Sequence, residues 1–239
     1  AKTRGVDLEF HQLGKDIFRI AKERRMDITP DNILDVDHEK LDLLRSIVLE
    51  RIEKKLYKKE GDRRRIDVLR THAKFLWNDV PRKAWYSKDI LALKPDKFVT
   101  FVDDAEKILE RLNQRNQWAM QDFSLRDILY WINDEVNTTD DWADNAGKPF
   151  YVVPVVAPAH FFYKILQKPE SEIVYVSMPL TFAYDPITQK RVDGLVKFLE
   201  RYFTIIDPRW IDPLAVSKGK GFDRAIYNNV VNRDLEWFV

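Results

Sequence analysis

Polar residues that could bind a ligand stand directly after apolar, strand-like runs in this sequence. Thr71 and His72 follow one such run, and Asp207 follows another. Ser177 closes a third. Open parallel sheets bind ligands at the carboxyl ends of their strands, so these positions indicate a ligand site. Each of them is also compatible with an ordinary polar residue at a strand end.

Other charged groups are further candidates, and each has a structural alternative. Arg111 and Arg115 are four residues apart in a predicted helix, so they share a face, which is also typical of a solvated helix surface. The acidic pairs Asp103–Asp104 and Asp140–Asp141 could hold Mg²⁺, or they could cap helices. The run Arg63–Arg65 could contact nucleic acid or form a solvated turn.

Length and composition limit the class of protein. A chain of 239 residues can form one large domain or two modest ones. Apolar residues make up 45% of it, which supports a substantial core and excludes a disordered chain. Charged residues reach 33% while the net charge is only +1, which argues against a dedicated nucleic-acid binder. Because the sequence has no Cys, disulfides and thiolate metal sites are excluded.

The surroundings of the protein can be predicted in outline. No apolar run approaches the roughly 20 residues needed to cross a membrane, and no apolar stretch follows the start as in a signal peptide. We therefore expect a cytoplasmic protein without a membrane partner. Abundant charge and the absence of Cys are also typical of a thermophile. Three tryptophans are expected in the core rather than in a base-stacking platform: Trp118, Trp131 and Trp142.

Apolar periodicity predicts alternating strands and helices. The predicted strands are 6–13, 66–69, 97–102, 150–156, 173–177 and 203–206. The predicted helices are 16–25, 41–59, 104–116, 124–135, 189–202 and one from near 222. A turn-like segment, Lys168–Ser171, suggests a boundary between domains 1–167 and 168–239. The alternation predicts an α/β fold with mostly parallel sheets in both domains.

Four segments in the first domain resemble archaeal adenylate and cytidylate kinases. They are His11–Arg19, Asp67–Ala73, Leu93–Val99 and Gly147–Val153, in the family's order. The resemblance implies a parallel-sheet P-loop domain that uses ATP and Mg²⁺. It further implies an acceptor-phosphate site and two lid arginines. The acceptor residues would be Gly14, Asp16, Arg19, Thr71 and His72, and the lid residues Arg111 and Arg115.

The sequence departs from these kinases at the phosphate loop. The motif G-x-x-x-x-G-K-S/T does not occur, since Glu9 stands where its first Gly should be and Asp16 follows Lys15. Ala1–Gly5 resembles the tail of the family's first helix. We therefore expect the first strand and the phosphate loop to lie upstream of residue 1.

The second domain resembles nucleoside 2-deoxyribosyltransferases. Its first strand ends in Tyr-x-Ser-x-Pro, Asp207-Pro208 matches the family's second strand end, and Asn232–Leu235 matches a later helix. The resemblance implies a smaller flavodoxin-like domain whose nucleophilic Glu would lie beyond Val239. It also implies a set of ligand residues: Tyr175, Ser177, Pro179, Asp207 and Asp234.

Together, the two resemblances predict a nucleotide-binding protein. The first hypothesis is an ATP-dependent nucleotide or nucleoside kinase-like phosphotransferase with a nucleoside-binding second domain. The alternative is a nucleotide sensor or regulatory module that hydrolyses slowly or not at all. Both predict small-molecule nucleotides as partners and leave a homo-oligomer open.

Overall fold

The computed structural model describes residues 7–57, 65–168, 171–176 and 185–210. They divide into two compact units. The first contains the residues up to Phe98 together with Arg111–Asp122 and Asn133–Pro149. The second contains Val99–Glu110, Phe123–Ile132 and the described residues from Phe150 onward. The second unit contains residues before and after residue 168. The domain boundary predicted at residue 168 stays a prediction.

A parallel strand pair organises the first unit. β1 (Asp7–Gln12) and β2 (Arg65–Arg70) pair in register from their first residues to their last, Gln12 opposite Arg70. The strands predicted at 6–13 and 66–69 are confirmed. Among the described residues β1 pairs only with β2. The expected helix tail at Ala1–Gly5 lies outside the described residues.

Two packed helices connect these strands. α1 (Leu13–Glu23) begins directly after β1, and α2 (His38–Tyr57) confirms the long amphipathic helix. Each buries an apolar face spaced at three or four residues, because that spacing returns to the same side of a helix. The buried residues are Leu13, Ile17, Ile20 and Ala21 on α1, and Leu41, Leu44, Val48, Leu49 and Ile52 on α2.

A turn over Thr29–Asn32 precedes α2. The Asn32 side chain accepts a hydrogen bond from the Thr29 amide at 2.8 Å and closes a turn there. A short 3-10 helix follows at Ile33–Asp35. α2 starts later because the Asp37 carboxylate accepts from the amides of Glu39 and Lys40, as an N-cap does.

An antiparallel hairpin was not predicted from the sequence. β3 (Lys74–Trp77) and β4 (Val80–Lys83) are joined by Asn78 and Asp79. Both loop residues have positive φ, 50° and 57°, as a two-residue type I′ turn requires. Asn and Asp tolerate this conformation better than most residues, so the Asn-Asp dipeptide between apolar runs was the available signal. α3 (Ser87–Ala92) follows the hairpin.

A second strand pair joins β5 (Phe98–Val102) and β6 (Phe150–Pro154). The Phe98 amide donates to the Pro149 carbonyl, and the Val155 amide donates to the Val102 carbonyl. Since these bonds advance together along both strands, the pair is parallel. Both strands were predicted. Three helices lie between them in the sequence: α4 (Ala105–Asn113), α5 (Asn116–Ala119) and α6 (Leu125–Ala146).

The C-terminal part of the second unit contains another parallel pair. α7 (Ala159–Gln167) precedes β7 (Ile173–Tyr175), and α8 (Pro186–Leu199) connects β7 to β8 (Thr204–Ile206). A buried cluster of Val153, Phe161, Ile165 and Ile206 forms the core here. The predicted strands are confirmed in shorter form. The helix predicted from near 222 lies outside the described residues.

The described chain is therefore a mixed α/β protein with small parallel sheets of two strands each. Its tryptophans Trp118, Trp131 and Trp142 are buried, as predicted for core residues. Along the described part of the chain, no helix combines the length and apolar character that crossing a membrane requires.

Candidate functional site

The parallel register of β1 and β2 creates one shared edge. Gln12 and Arg70 are paired at the carboxyl ends of the two strands. The chain leaving β1 enters α1 at once, and the chain leaving β2 continues into Thr71 and His72. The structure thus brings the start of α1 and the Thr71–His72 segment, both singled out from the sequence, to the same edge of the sheet.

The first turn of α1 is open toward that edge. Gln12 is extended and its side chain does not cap the helix. Gly14 is exposed, and a Cβ built on it would meet no atom within 4 Å. Uncapped amides at a helix start carry partial positive charge and attract anions. Gly14 lies inside the first turn of α1, because the helix begins three residues before the predicted start at residue 16.

Asp16 and Arg19 form an ion pair one turn apart on α1. Arg19 Nη2 lies 2.7 Å from Asp16 Oδ1, and the Arg19 side chain is 52% exposed. Exposed pairs of this kind are weak, so an anionic ligand can replace Asp16 as the partner of Arg19. The phosphate contact predicted for Arg19 stays a prediction.

His72 is held by a carboxylate that sequence reasoning missed. Its Nδ1 lies 2.8 Å from Glu135 Oε1, and the Ala73 amide donates to Glu135 Oε2 at 2.7 Å. Glu135 is 17% exposed and His72 is 62% exposed. An ionised carboxylate can only accept, so the proton on this bond belongs to His72 Nδ1. An imidazole oriented by a carboxylate is an arrangement that acid–base sites use.

α6 fixes the segment after β2 through a second acid as well. Lys74 Nζ donates to both carboxylate oxygens of Asp134, at 3.0 Å and 3.1 Å. Thr71 Oγ1 accepts from Trp85 Nε1 and donates to the His72 carbonyl at 3.1 Å. Contacts on both sides of His72 therefore hold the segment in one position. No local pattern in the sequence links residues so far apart, and an Asp-Glu pair in a long helix was the only available signal.

The sequence predicted that Arg111 and Arg115 share a helical face, but in the structure they do not. α4 ends at Asn113, and α5 begins at Asn116. Arg115 between them has extended backbone, with φ −112° and ψ 121°, which breaks the helix. Both side chains are exposed. Their lid role, which the resemblance implies, stays a prediction.

The remaining acidic pairs take structural positions. Asp103 accepts from the Asp104 amide at 2.9 Å just before α4, as residues at a helix start do. Asp140 and Asp141 lie inside α6 rather than in a loop. Burial raises the pKa of Asp140, and the charges of Asp144 and Asp141 raise it further.

Arg65 lies in β2 with a buried side chain, so the solvated-turn alternative for Arg63–Arg65 does not hold at this residue. Its side chain is 4% exposed and contacts Asp67 and Glu9, the latter at 2.9 Å. His11 Nε2 lies 2.8 Å from Asp67 Oδ1. Burial raises the pKa of Asp67, but hydrogen bonds from Arg65 and His11 outweigh it, so the pKa lies below its usual value. Arg63 lies outside the described residues.

Glu9, His11 and Asp67 place three potential metal ligands within 4.8 Å of one another. The Arg65 guanidinium already supplies positive charge to both carboxylates. Arg65 Nε and Nη1 are buried without a hydrogen-bond partner in the described part of the chain. Both are donors, which repel a cation. This cluster is therefore an ion-pair network that joins β1 to β2.

The second predicted site lies at the carboxyl edge of β7 and β8. The Val176 amide donates to the Ile206 carbonyl, so residues following both strands emerge at one edge. Asp207 is buried there, and both its oxygens accept from the Arg209 side chain. These bonds raise the pKa of Arg209, which also donates to Asp193 at 2.9 Å.

Tyr175 is partly buried near the end of β7. The other predicted ligand residues of this site lie outside the described residues: Ser177, Pro179 and Asp234. The edge is therefore present, but its one described acid already has a charged partner in Arg209.

Comparison with models of known protein families and with curated proteins finds no match for this chain. The kinase-like and deoxyribosyltransferase-like resemblances accordingly stay expectations.

Proposed function

We propose that the protein binds a nucleotide through the carboxyl edge of β1 and β2. The observation that carries this proposal is the strand register, with Gln12 opposite Arg70. It brings the start of α1, which the Gln12 side chain does not cap, to the same edge as the segment Thr71–His72. Open parallel sheets bind ligands at this kind of edge.

The parts of the edge suit the phosphate end of a nucleotide. The first-turn amides of α1 and the exposed Lys15 attract a phosphate group. Arg19, one turn further on, can exchange its exposed pair with Asp16 for a bidentate phosphate contact. His72, whose Nδ1 donates to Glu135, can accept a hydrogen bond or a proton from the ligand through Nε2.

The proposed reaction is phosphoryl transfer to a nucleotide or nucleoside, as in the kinases that the first domain resembles. Such transfer depends on positioning and charge neutralisation, which the edge can supply to the acceptor. ATP and Mg²⁺ are implied by the resemblance. Because the sequence has no phosphate-loop motif, these residues do not fit the loop that holds ATP, and we assign them the acceptor only.

A second nucleoside site is proposed at the edge of β7 and β8, following the deoxyribosyltransferase resemblance. Tyr175 and Asp207 would contribute to it together with Ser177, Pro179 and Asp234. Since Asp207 is paired with Arg209, its contribution would be to hold the edge in shape.

Calorimetry with nucleoside 5′-monophosphates tests the first site. Arg19→Ala should weaken binding by about 1.5–3 kcal/mol, as expected for a lost charge-assisted hydrogen bond. Arg24→Ala is the matched control, because Arg24 is an exposed arginine at the end of the same helix. Absence of monophosphate binding, or equal binding by Arg19→Ala and the unchanged chain, would refute the proposed site.

The alternative function is a nucleotide sensor or regulatory module that hydrolyses slowly or not at all, which fits a clamp of Lys15 and Arg19 acting without a phosphate loop. Incubating the full chain with ATP, Mg²⁺ and the monophosphate that binds best separates the two. Conversion of the monophosphate to its diphosphate without release of inorganic phosphate supports the phosphotransferase. Binding without any product, or with slow release of inorganic phosphate from ATP, supports the sensor.

A further inference from the structure

A cleft of about 330 Å³ lies between α1 and α2. It is lined by Arg19, Glu23, Arg51, Lys54 and Lys55. Four of these five side chains are cationic. The cleft is on the helix pair rather than at the sheet edge, toward the end of α1.

An interhelical ion pair fixes the shape of this cleft. Arg51 Nη2 on α2 lies 2.7 Å from Glu23 Oε2 on α1. The hydrogen bond from Arg51 lowers the pKa of Glu23, so this acid stays ionised at neutral pH. A ligand must therefore carry enough negative charge to overcome the repulsion of Glu23.

Arg19, Lys54 and Lys55 are not held by strong ion pairs in this cleft. Arg19 pairs with the partly buried Asp16, and Lys54 pairs with the exposed Glu50. Lys55 makes no ion pair with any residue that the structure describes. Exposed pairs contribute little to stability, so a multiply charged anion can displace the acids.

We propose that this cleft binds a short chain of phosphate groups next to the proposed nucleotide edge, with which it shares Arg19 but not Lys54 or Lys55. Two arginines can each make bidentate contacts with phosphate oxygens, and two lysines add point charges. The volume is at the low end for small-molecule sites, which fits a phosphate chain better than a whole nucleotide. The chain could be free polyphosphate or the tail of a nucleoside triphosphate, and both present the same chemistry.

Calorimetry with inorganic tripolyphosphate and with ATP, without added metal, tests the cleft. The double variant Lys54→Gln/Lys55→Gln should bind both ligands at least about tenfold more weakly. Lys40→Gln is the matched control, because Lys40 is exposed on the first turn of the same helix. It should leave both affinities unchanged. Gln has a helix propensity close to that of Lys, so circular dichroism should show an intact fold in both variants.

The outcomes separate this cleft from the proposed nucleotide edge. Tripolyphosphate and ATP binding that depend equally on Lys54 and Lys55, with monophosphate binding retained in the double variant, supports the proposal. The proposal is overturned if tripolyphosphate does not bind, whether or not ATP binds. It is also overturned if Lys40→Gln loses as much affinity as the double variant does. Loss of monophosphate binding in the double variant also overturns it, since Lys54 and Lys55 would then belong to the nucleotide edge. Failure of monophosphate binding in the unchanged chain affects the edge only.

Discussion

Glu135 Oε1 lies 2.8 Å from His72 Nδ1, although the two residues are 63 positions apart in the chain. The same carboxylate accepts from the Ala73 amide through its other oxygen. One acid on α6 therefore fixes both the imidazole and the backbone that follows β2. The edge of the first sheet has a defined shape because of this contact.

Removing this carboxylate should weaken the fold. Glu135→Ala leaves the Ala73 amide without its acceptor, and we expect a loss of about 1–3 kcal/mol in the free energy of unfolding. Glu135→Gln keeps an amide oxygen that can accept from Ala73, so it should retain most of the stability. Urea denaturation measures both variants. Equal losses in the two would show that the contact with Ala73 contributes little.

Arg65 should be essential to the strand pair of the first unit. Arg65→Ala leaves Glu9 and Asp67 without their shared cation, and we expect destabilisation of about 3 kcal/mol. This is the lower end for a broken buried pair, because Glu9 is 37% exposed. Urea denaturation of Arg65→Ala and of the exposed-site control Arg24→Ala provides the comparison. A similar effect of both changes would contradict a special role for Arg65.

Asp67 should make the stability of the first unit depend on acid pH. Its pKa lies below the usual value of 3.8, so the folded state holds the ionised form more strongly than the unfolded state does. This stabilisation is present above the unfolded pKa and is lost as the pH falls through the lower folded pKa. Asp67→Asn should flatten the fall in stability below about pH 4. Denaturant midpoints across that range measure the effect, and parallel curves for both chains would refute it.

The hairpin turn can be improved by glycine. Asp79 has φ 57°, a left-handed conformation that costs a residue with a Cβ about 1–2 kcal/mol. Asp79→Gly removes this strain, at some cost in the entropy of the unfolded chain, and should stabilise the protein by up to about 1 kcal/mol. Asp79→Val should destabilise it, because β-branched residues disfavour positive φ. Thermal unfolding of both variants checks the order, and a Gly variant less stable than Val would contradict the turn assignment.

Most of the strands and helices could be predicted from local sequence patterns. Alternation and continuous apolar runs predicted β1, β2, β5, β6 and β8, since side-chain periodicity follows directly from strand geometry. Three- and four-residue spacing likewise predicted α2, whose buried face runs from Leu41 to Ile52. The hairpin at Asn78-Asp79 was missed, because its signal is a single dipeptide rather than a period.

The tertiary structure determined which residues come together at each site. The sequence placed Thr71 and His72 after a strand and Gly14 after another, but only the parallel register of β1 and β2 brought them to one edge. Glu135 reached His72, and Arg65 became buried between Glu9 and Asp67, through contacts that have no local sequence pattern. From the sequence alone a charged residue is expected to be solvated, because its partner is not known. Because those partners arrive from distant parts of the chain, packing rather than periodicity determined which charges are buried.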